Sequence, residues 1–357
     1  MQIISSKVQN DMKRFQRLCH CKIVFMRIAI VKLSALGDIV HAMIVLQLIK
    51  KSSSNITVDW VIDESFKEIL DDHPHINQVH SVSLRNAKKK KSIFSLYKEL
   101  KKFKNLEAYD LVIDMQGLIK SALIAKLIPS KQTIGFDKFS VRESFASSFY
   151  DKTFNCRYDK NVILRNIELV EFSLVRSFNK EQIDIKSPYL YSREQKLNVR
   201  LSKSKKNIIL IPGASHESKR YPVSKLGEIT KLMDENFIII WGNTEERYFA
   251  NQIKEISPKI HICNKLSIAS LVNLISKVDL VIGPDTGPTH MAWALNVPSI
   301  ILFGPTPGYR NAHQTLINRI IESKSNVNPF KIKKDDFSIG EISPIEIFRV
   351  SQDIFNK

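Results

Sequence analysis

Residues 279–292 read DLVIGPDTGPTHMA. An apolar, β-branched run ends in Gly283-Pro284, and small residues then lead into Pro288, Thr289 and His290. This is the pattern of a buried strand feeding a tight turn and then a helix. Pro288 suits a first helical turn, where a missing N–H costs nothing. The free N–H groups of such a helix start attract anions, a diphosphate among them, with the Thr286 hydroxyl beside them. The same grammar recurs outward. NIILIPG (207–213), FIIIWG (237–242) and KIHIC (259–263) precede it, and SIILFGP (299–305) follows. Helix-like segments lie between them at 224–235, 245–256, 267–277 and 289–295. An amphipathic stretch at 344–355 reads as a closing helix.

The first half repeats this order. IAIVKL (28–33), VDWVID (58–63), a short run at 78–82 and LVID (111–114) read as strands, with helices at 39–50 and 119–128. Strands separated by helix-length segments predict parallel α/β sheets. The polar stretch 180–206 reads as a connection between two such units. The expected organisation is α/β, with two Rossmann-like domains facing a central cleft: 26–185, then 186–342, with a C-terminal helix at 343–357. Residues 1–25 are polar and basic without an apolar face, so Met26 is expected to mark the natural start and 1–25 an upstream extension. Cys19-His20-Cys21 lie too close together to wrap one tetrahedral ion, and no metal site is expected there.

The chain has 357 residues, of which 43% are hydrophobic and 25% charged, which excludes a mostly disordered protein. No run approaches the ~20 apolar residues of a membrane span. Four cysteines do not make a disulfide scaffold. With 54 Lys and Arg against 36 Asp and Glu, the net charge is +18. Such an excess points to a polyanionic partner: nucleic acid, an anionic membrane face or a phosphorylated substrate. A nucleic-acid binder is disfavoured, because no binding module or aromatic-basic stripe is present.

In open α/β sheets ligands bind beyond the carboxyl ends of the strands, and the polar motifs cluster there. Ser34-Ala35-Leu36-Gly37-Asp38 follows the first strand. Asp38 reads either as a helix N-cap or as a general base at the cleft floor. The loop is not GxGxxG, so a dinucleotide fingerprint is absent. Asp114-x-Gln116-Gly117-Leu118-x-Lys120-Ser121 places Lys120 in a first helical turn, against the helix dipole, as an anion ligand or a solvated lysine. In the loop with Ser215, Lys219 and Arg220 are adjacent cations suited to phosphate. Asp285 would repel phosphate, so it is expected to orient its loop or meet a sugar hydroxyl. Glu245 and Glu246 are candidates for a ribose contact or for simple first-turn acids.

Together, KLSALGDIVHA (32–42), DMQGLIKSA (114–122), FDKFSVRESFASSFY (136–150), SKRYP (218–222) and DTGPTH (285–290) resemble glycosyltransferase family 9, the lipopolysaccharide heptosyltransferases. The resemblance runs from about Met26 to the C-terminal helix. It is closest to the members that add the first heptose to the Kdo of Kdo2–lipid A. A common family variant has Leu at the place of Pro288 and Trp at that of Tyr221. The resemblance implies a GT-B fold with the acceptor on the N-terminal domain and ADP-L-glycero-β-D-manno-heptose on the C-terminal one. It also implies an inverting reaction without metal or cofactor, ADP-heptose being a co-substrate. Asp38 takes the place of the base and Lys219 that of the cation at the donor phosphates. Ser215, Arg220, Glu246, Asp285, Thr286, Gly287 and His290 fall on the donor side, with Glu245 an alternative to Glu246. Ser34, Gly37, Gln116, Lys120 and Arg142 fall on the acceptor side. The lipid acceptor implies peripheral contact with the anionic cytoplasmic face of the inner membrane. The rival readings are heptosyltransferase II or another family 9 enzyme with a different acceptor, and a non-catalytic lipid A-binding protein.

Overall fold

The computed structural model describes residues 25–83, 93–193, 196–197 and 199–356. The segment 1–24 with Cys19-His20-Cys21, and the lysine run 88–91, lie outside the described residues. In the N-terminal half the elements are β1 (Met26–Val31), α1 (Leu36–Ser52), β2 (Ile56–Asp63), β3 (Gln78–Val82), α2 (Ile93–Lys104), β4 (Leu111–Asp114), α3 (Ile119–Leu127), β5 (Thr133–Phe136), β6 (Lys152–Phe154) and α4 (Val162–Leu174). In the C-terminal half they are β7 (Asn207–Leu210), α5 (Val223–Leu232), β8 (Asn236–Ile239), α6 (Thr244–Ile256), β9 (His261–Ile262), α7 (Ile268–Ile275), β10 (Leu280–Pro284), α8 (Gly287–Ala294), β11 (Ser299–Phe303), α9 (Gly308–Asn311), β12 (Asn318–Glu322) and α10 (Pro344–Phe355).

Each half is a six-stranded parallel sheet. The orders are β3-β2-β1-β4-β5-β6 and β12-β11-β10-β7-β8-β9. Both follow the Rossmann order, so each has a switch point where the connections reverse: between β1 and β4, and between β7 and β10. Ligands bind at such points, outside the strand ends. Strands β4, β7 and β11 are buried throughout, as expected of parallel sheets covered on both faces.

The helices α1 and α8 pack directly on each other and join the two halves. Helix α1 is buried continuously from Ile39 to Ile49, because α4 and α8 cover the sides its sheet leaves open. The chain crosses between the halves alongside this contact. Gln47 Nε2 donates to Ser187 O (2.7 Å), Tyr189 OH donates to Val40 O (3.1 Å), and Tyr189 N donates to Ala294 O (3.2 Å). Lys186 Nζ donates to Trp293 O (2.5 Å) and to Asn296 Oδ1, placing a cation at the C-terminal end of α8, where the dipole favours one. Burial there pulls the Lys186 ammonium down to about 8.

A second clasp joins the halves. Glu68 lies in a 3-10 turn, Glu64–Ile69, after β2. Its carboxylate accepts from Ile268 N (2.9 Å) and Ala269 N (3.1 Å), capping α7 of the other half. Glu68→Ala leaves those two N–H groups without that acceptor. We expect a loss of about 1 kcal/mol in thermal unfolding, and a larger radius of gyration in solution scattering. Wild-type values for both would show that the clasp contributes nothing.

Several boundaries differ from the sequence expectation. The helix expected at 39–50 begins at Leu36, because Asp38 reaches back to its start. The strand expected at 259–263 narrows to His261–Ile262. Strands β5 and β6, with four and three residues, are too short to show a period and were not anticipated. Neither were β12 and α4, although Asn161, whose side chain accepts from Ile163 N, is a legible cap for α4.

Candidate active site

The carboxyl ends of the two sheets face one cleft of about 960 Å³. Its N-terminal wall begins at the loop after β1. Asp38 is not the N-cap of α1, as its residue type allowed. Ala35 holds that position, and Asp38, the third helical residue, accepts from Ala35 N through Oδ2 (3.2 Å). That contact aims the exposed carboxylate into the cleft. Gln116 steadies the loop: its Oε1 accepts from Leu33 N (3.2 Å) and Ser34 N (3.1 Å).

The loop after β4 is organised by Asp114. This fully buried carboxylate accepts from Tyr150 OH (2.7 Å), Ser121 Oγ (2.8 Å), Gln116 N (2.8 Å) and Gly117 N (3.3 Å). Burial still pushes its pKa up, and burial together with Asp114 pushes the Tyr150 phenol up strongly. Gly117 has φ +68°, a left-handed conformation that favours glycine, and a Cβ there would lie 2.6 Å from Val141 Cγ1. The motif 114–121 therefore builds part of the N-terminal wall; of the residues expected on the acceptor side, Gln116 and Arg142 line the cleft, while Ser34 and Lys120 do not. Ser34 contributes its backbone to the loop, and Lys120 is exposed outside the cleft.

The C-terminal wall comes from the loops after β7, β8, β10 and β11. Lys219 Nζ donates to Asp285 Oδ2 (2.7 Å), and Asp285 Oδ1 lies 2.8 Å from His290 Nε2. Both members of the Lys219–Asp285 pair are nearly buried. Burial alone would raise the Asp285 carboxyl, but Lys219 and His290 outweigh it and hold it well below the usual range. Thr286 is the N-cap of α8, and its Oγ1 is buried without a hydrogen-bond partner. A buried hydroxyl beside free helix N–H groups is suited to an anion.

Glu246 accepts from Gly242 N (2.6 Å) and Asn243 Nδ2 (2.9 Å), and it lies so close to Gly213 that a Cβ there would sit 2.3 Å from its carboxyl carbon. Glu245 is instead paired with Arg220 (3.0 Å), whose guanidinium lies 4.9 Å from the centre of the Phe249 ring. Both glutamates, Ser215, Lys219 and Arg220 line the cleft.

The walls meet where α1 touches α8. A Cβ on Gly37 would lie 2.6 Å from His290 Cδ2, and one on Gly287 would lie 2.7 Å from Leu36 Cδ2. His41 and His290 stack edge-on with centroids 4.2 Å apart, and burial holds His41 neutral by pulling its pKa well down. Asp38 and the start of α8 are thereby fixed on either side of one close contact.

Among the cleft residues that the sequence reading missed are Lys32, Tyr158, Arg165 and Arg310. Lys32 is buried, donates to Met115 O (3.1 Å), and has its pKa lowered by desolvation. Arg165 donates to Cys156 O (2.9 Å) and Ser140 O (2.6 Å). Arg310 lies 4.5 Å over the Tyr158 ring and donates to Tyr158 O (3.0 Å). Arg310 follows GPTPGY after β11, a post-strand signal that was readable. Lys32 heads the stretch 32–42 quoted above but was not singled out, while Tyr158 and Arg165 stand in no quoted motif and are placed by the fold.

Two Rossmann-like domains face each other across their strand ends. A carboxylate stands on one wall and an anion-holding helix start with a lysine on the other. That is the GT-B arrangement of a glycosyltransferase. The chain belongs to glycosyltransferase family 9, the heptosyltransferases, whose model matches residues 93–334. It is 40% identical to lipopolysaccharide heptosyltransferase 1 of Campylobacter coli, over 92% of this chain and 99% of that protein. With the Pseudomonas aeruginosa protein of the same name it shares 30% identity, over 81% of each. The solved structure of E. coli heptosyltransferase WaaC with ADP has the same fold, with a TM-score of 0.75 at 22% identity, covering 92% of this chain and all of that one.

Proposed function

We propose that this enzyme transfers L-glycero-D-manno-heptose from ADP-heptose to the Kdo of Kdo2–lipid A, inverting the anomeric centre without a metal. The observation that carries this reading is the opposition of Asp38 to Lys219 and the start of α8 within one cleft. The 40% identity to a lipopolysaccharide heptosyltransferase 1 along nearly its whole length supports the choice of sugar and acceptor. ADP in the WaaC structure of like fold supports the donor.

A sugar hydroxyl is too weak an acid to attack unaided. Asp38 takes its proton as it attacks C1 from the face opposite ADP. The C1–O bond to the diphosphate breaks, and the leaving ADP gains negative charge. Lys219, the Thr286 hydroxyl and the N–H groups of α8 meet that charge, a role a metal plays in other transferases. One attack inverts the centre, so no covalent enzyme intermediate is needed. Glu246 takes the ribose hydroxyls, while Arg142 and Gln116 hold the acceptor. No helix among the described residues is long and apolar enough to cross a membrane, and we place the enzyme peripherally on the cytoplasmic face of the inner membrane.

The test is mass spectrometry of Kdo2–lipid A after incubation with ADP-heptose and EDTA. The expected result is a gain of one heptose. No gain from folded protein that binds ADP would sink the assignment of sugar or acceptor.

A further inference from the structure

The loop 137–149 carries side chains that the cleft does not use. Phe139 is 74% exposed and Phe145 63% exposed, and beside them Ile119, at the start of α3, is 41% exposed. Such apolar side chains, gathered on one face and open to water, mark an interaction surface. The segments that carry them run side by side, although Phe139 also borders a smaller pocket with Tyr158 and Phe330. The 3-10 turn Ser144–Phe149 packs on α3, Ile119 N donates to Glu143 Oε2 (2.7 Å), and Val141 lies against Gly117.

Cations are interleaved with them. Lys138 Nζ lies 5.0 Å from the centre of the Phe139 ring, and Lys120 and Arg142 are exposed. Neither Lys120 nor Arg142 has a hydrogen-bond or ion-pair partner among the described residues. The nearby acids are already engaged. Glu143 is held by the Ile119 N–H, and Asp137 accepts from Ser140 Oγ (2.5 Å) and Asn155 Nδ2 (2.6 Å). Helix α2, which packs on α3, exposes two more lysines, Lys98 and Lys101. Arg142 lines the cleft as well, so the surface runs into the N-terminal wall without a break.

We propose that this face docks on an anionic lipid bilayer, with Phe139, Phe145 and Ile119 entering the headgroup layer and the lysines and Arg142 meeting its charge. Aromatic tips ringed by flexible cations suit a lipid surface, where the rings bury and the ammonium groups stay at the headgroups. The face rests on the reading of a lipid-borne acceptor, whose sugar would then enter the cleft past Arg142 from the membrane side. It also gives Lys120, which the cleft leaves outside, a partner.

The test is co-sedimentation of the full chain with phosphatidylcholine vesicles, alone and mixed with phosphatidylglycerol. Wild type is expected to pellet with the mixed vesicles only, and less so at high salt. Lys138→Ala is expected to weaken that partition about fivefold. Phe139→Ser with Phe145→Ser should weaken it at least as much, with ADP affinity unchanged and melting temperature little changed, since both rings are mostly exposed. Wild type that ignores anionic vesicles would overturn the proposal, as would a double variant that binds like wild type. Binding is read without donor or acceptor. Vesicle binding with no heptose transfer would sink the proposed function and keep the docking face. Transfer to micellar acceptor with no vesicle binding would do the reverse.

Discussion

Asp38→Asn is expected to lower heptose transfer by about 10²–10⁴-fold while leaving ADP affinity within about twofold of wild type. The amide keeps an oxygen that can accept from Ala35 N, so the start of α1 is preserved. It cannot take a proton. The loss should therefore fall on kcat rather than on donor binding. The measurement is single-turnover formation of the heptosylated product, paired with calorimetric titration of ADP. Transfer within tenfold of wild type would remove Asp38 as the base and leave the acceptor hydroxyl to another group on the same wall.

Lys219→Met should cost about 10²–10³-fold in kcat by removing a cation from the departing diphosphate. It will also disturb the fold, because Asp285 loses its closest partner while remaining nearly buried. The two effects separate in the double variant Lys219→Met with Asp285→Asn, which removes the stranded charge. Its melting temperature should recover much of the loss, and its rate should not. A double variant that regains activity would make Lys219 a structural partner of Asp285 alone. The pair also sets an acid limit. The Asp285 carboxyl is held low, so its contribution to stability is complete above about pH 4, the ordinary carboxylate value, and is lost as the pH falls below it. The Asp285→Asn variant should unfold with a shallower acid slope than wild type.

The loops after β1, β7 and β10 were legible because each carries its chemistry in consecutive residues just beyond an apolar run. Asp38, Lys219, Asp285 and Thr286 could be placed from that pattern, and the cleft brings them together. Their partners were not legible. That Lys219 is neutralised by Asp285, 66 residues away, depends on β7 and β10 being neighbours in the sheet. Lys120 shows the opposite failure. Its position in a first helical turn was read correctly, but the turn faces outward, and no local pattern tells which way a helix start is rotated. Arg165 shows a third. It sits inside α4 and reaches backbone carbonyls of the loops at 140 and 156–157, contacts that only the finished fold supplies.

The contact of Gly37 with His290 and of Gly287 with Leu36 has a mechanical meaning. The halves also meet where Glu68 caps α7, but the α1–α8 pair is their broadest contact and would be the pivot if one half turned against the other. Points near a pivot travel least. Asp38 and the start of α8 both lie within a residue or two of that contact, so such a turn would leave their spacing nearly unchanged while it widened the outer rim of the cleft. The bulky lipid-borne sugar proposed above as acceptor would then enter at the rim without resetting that spacing.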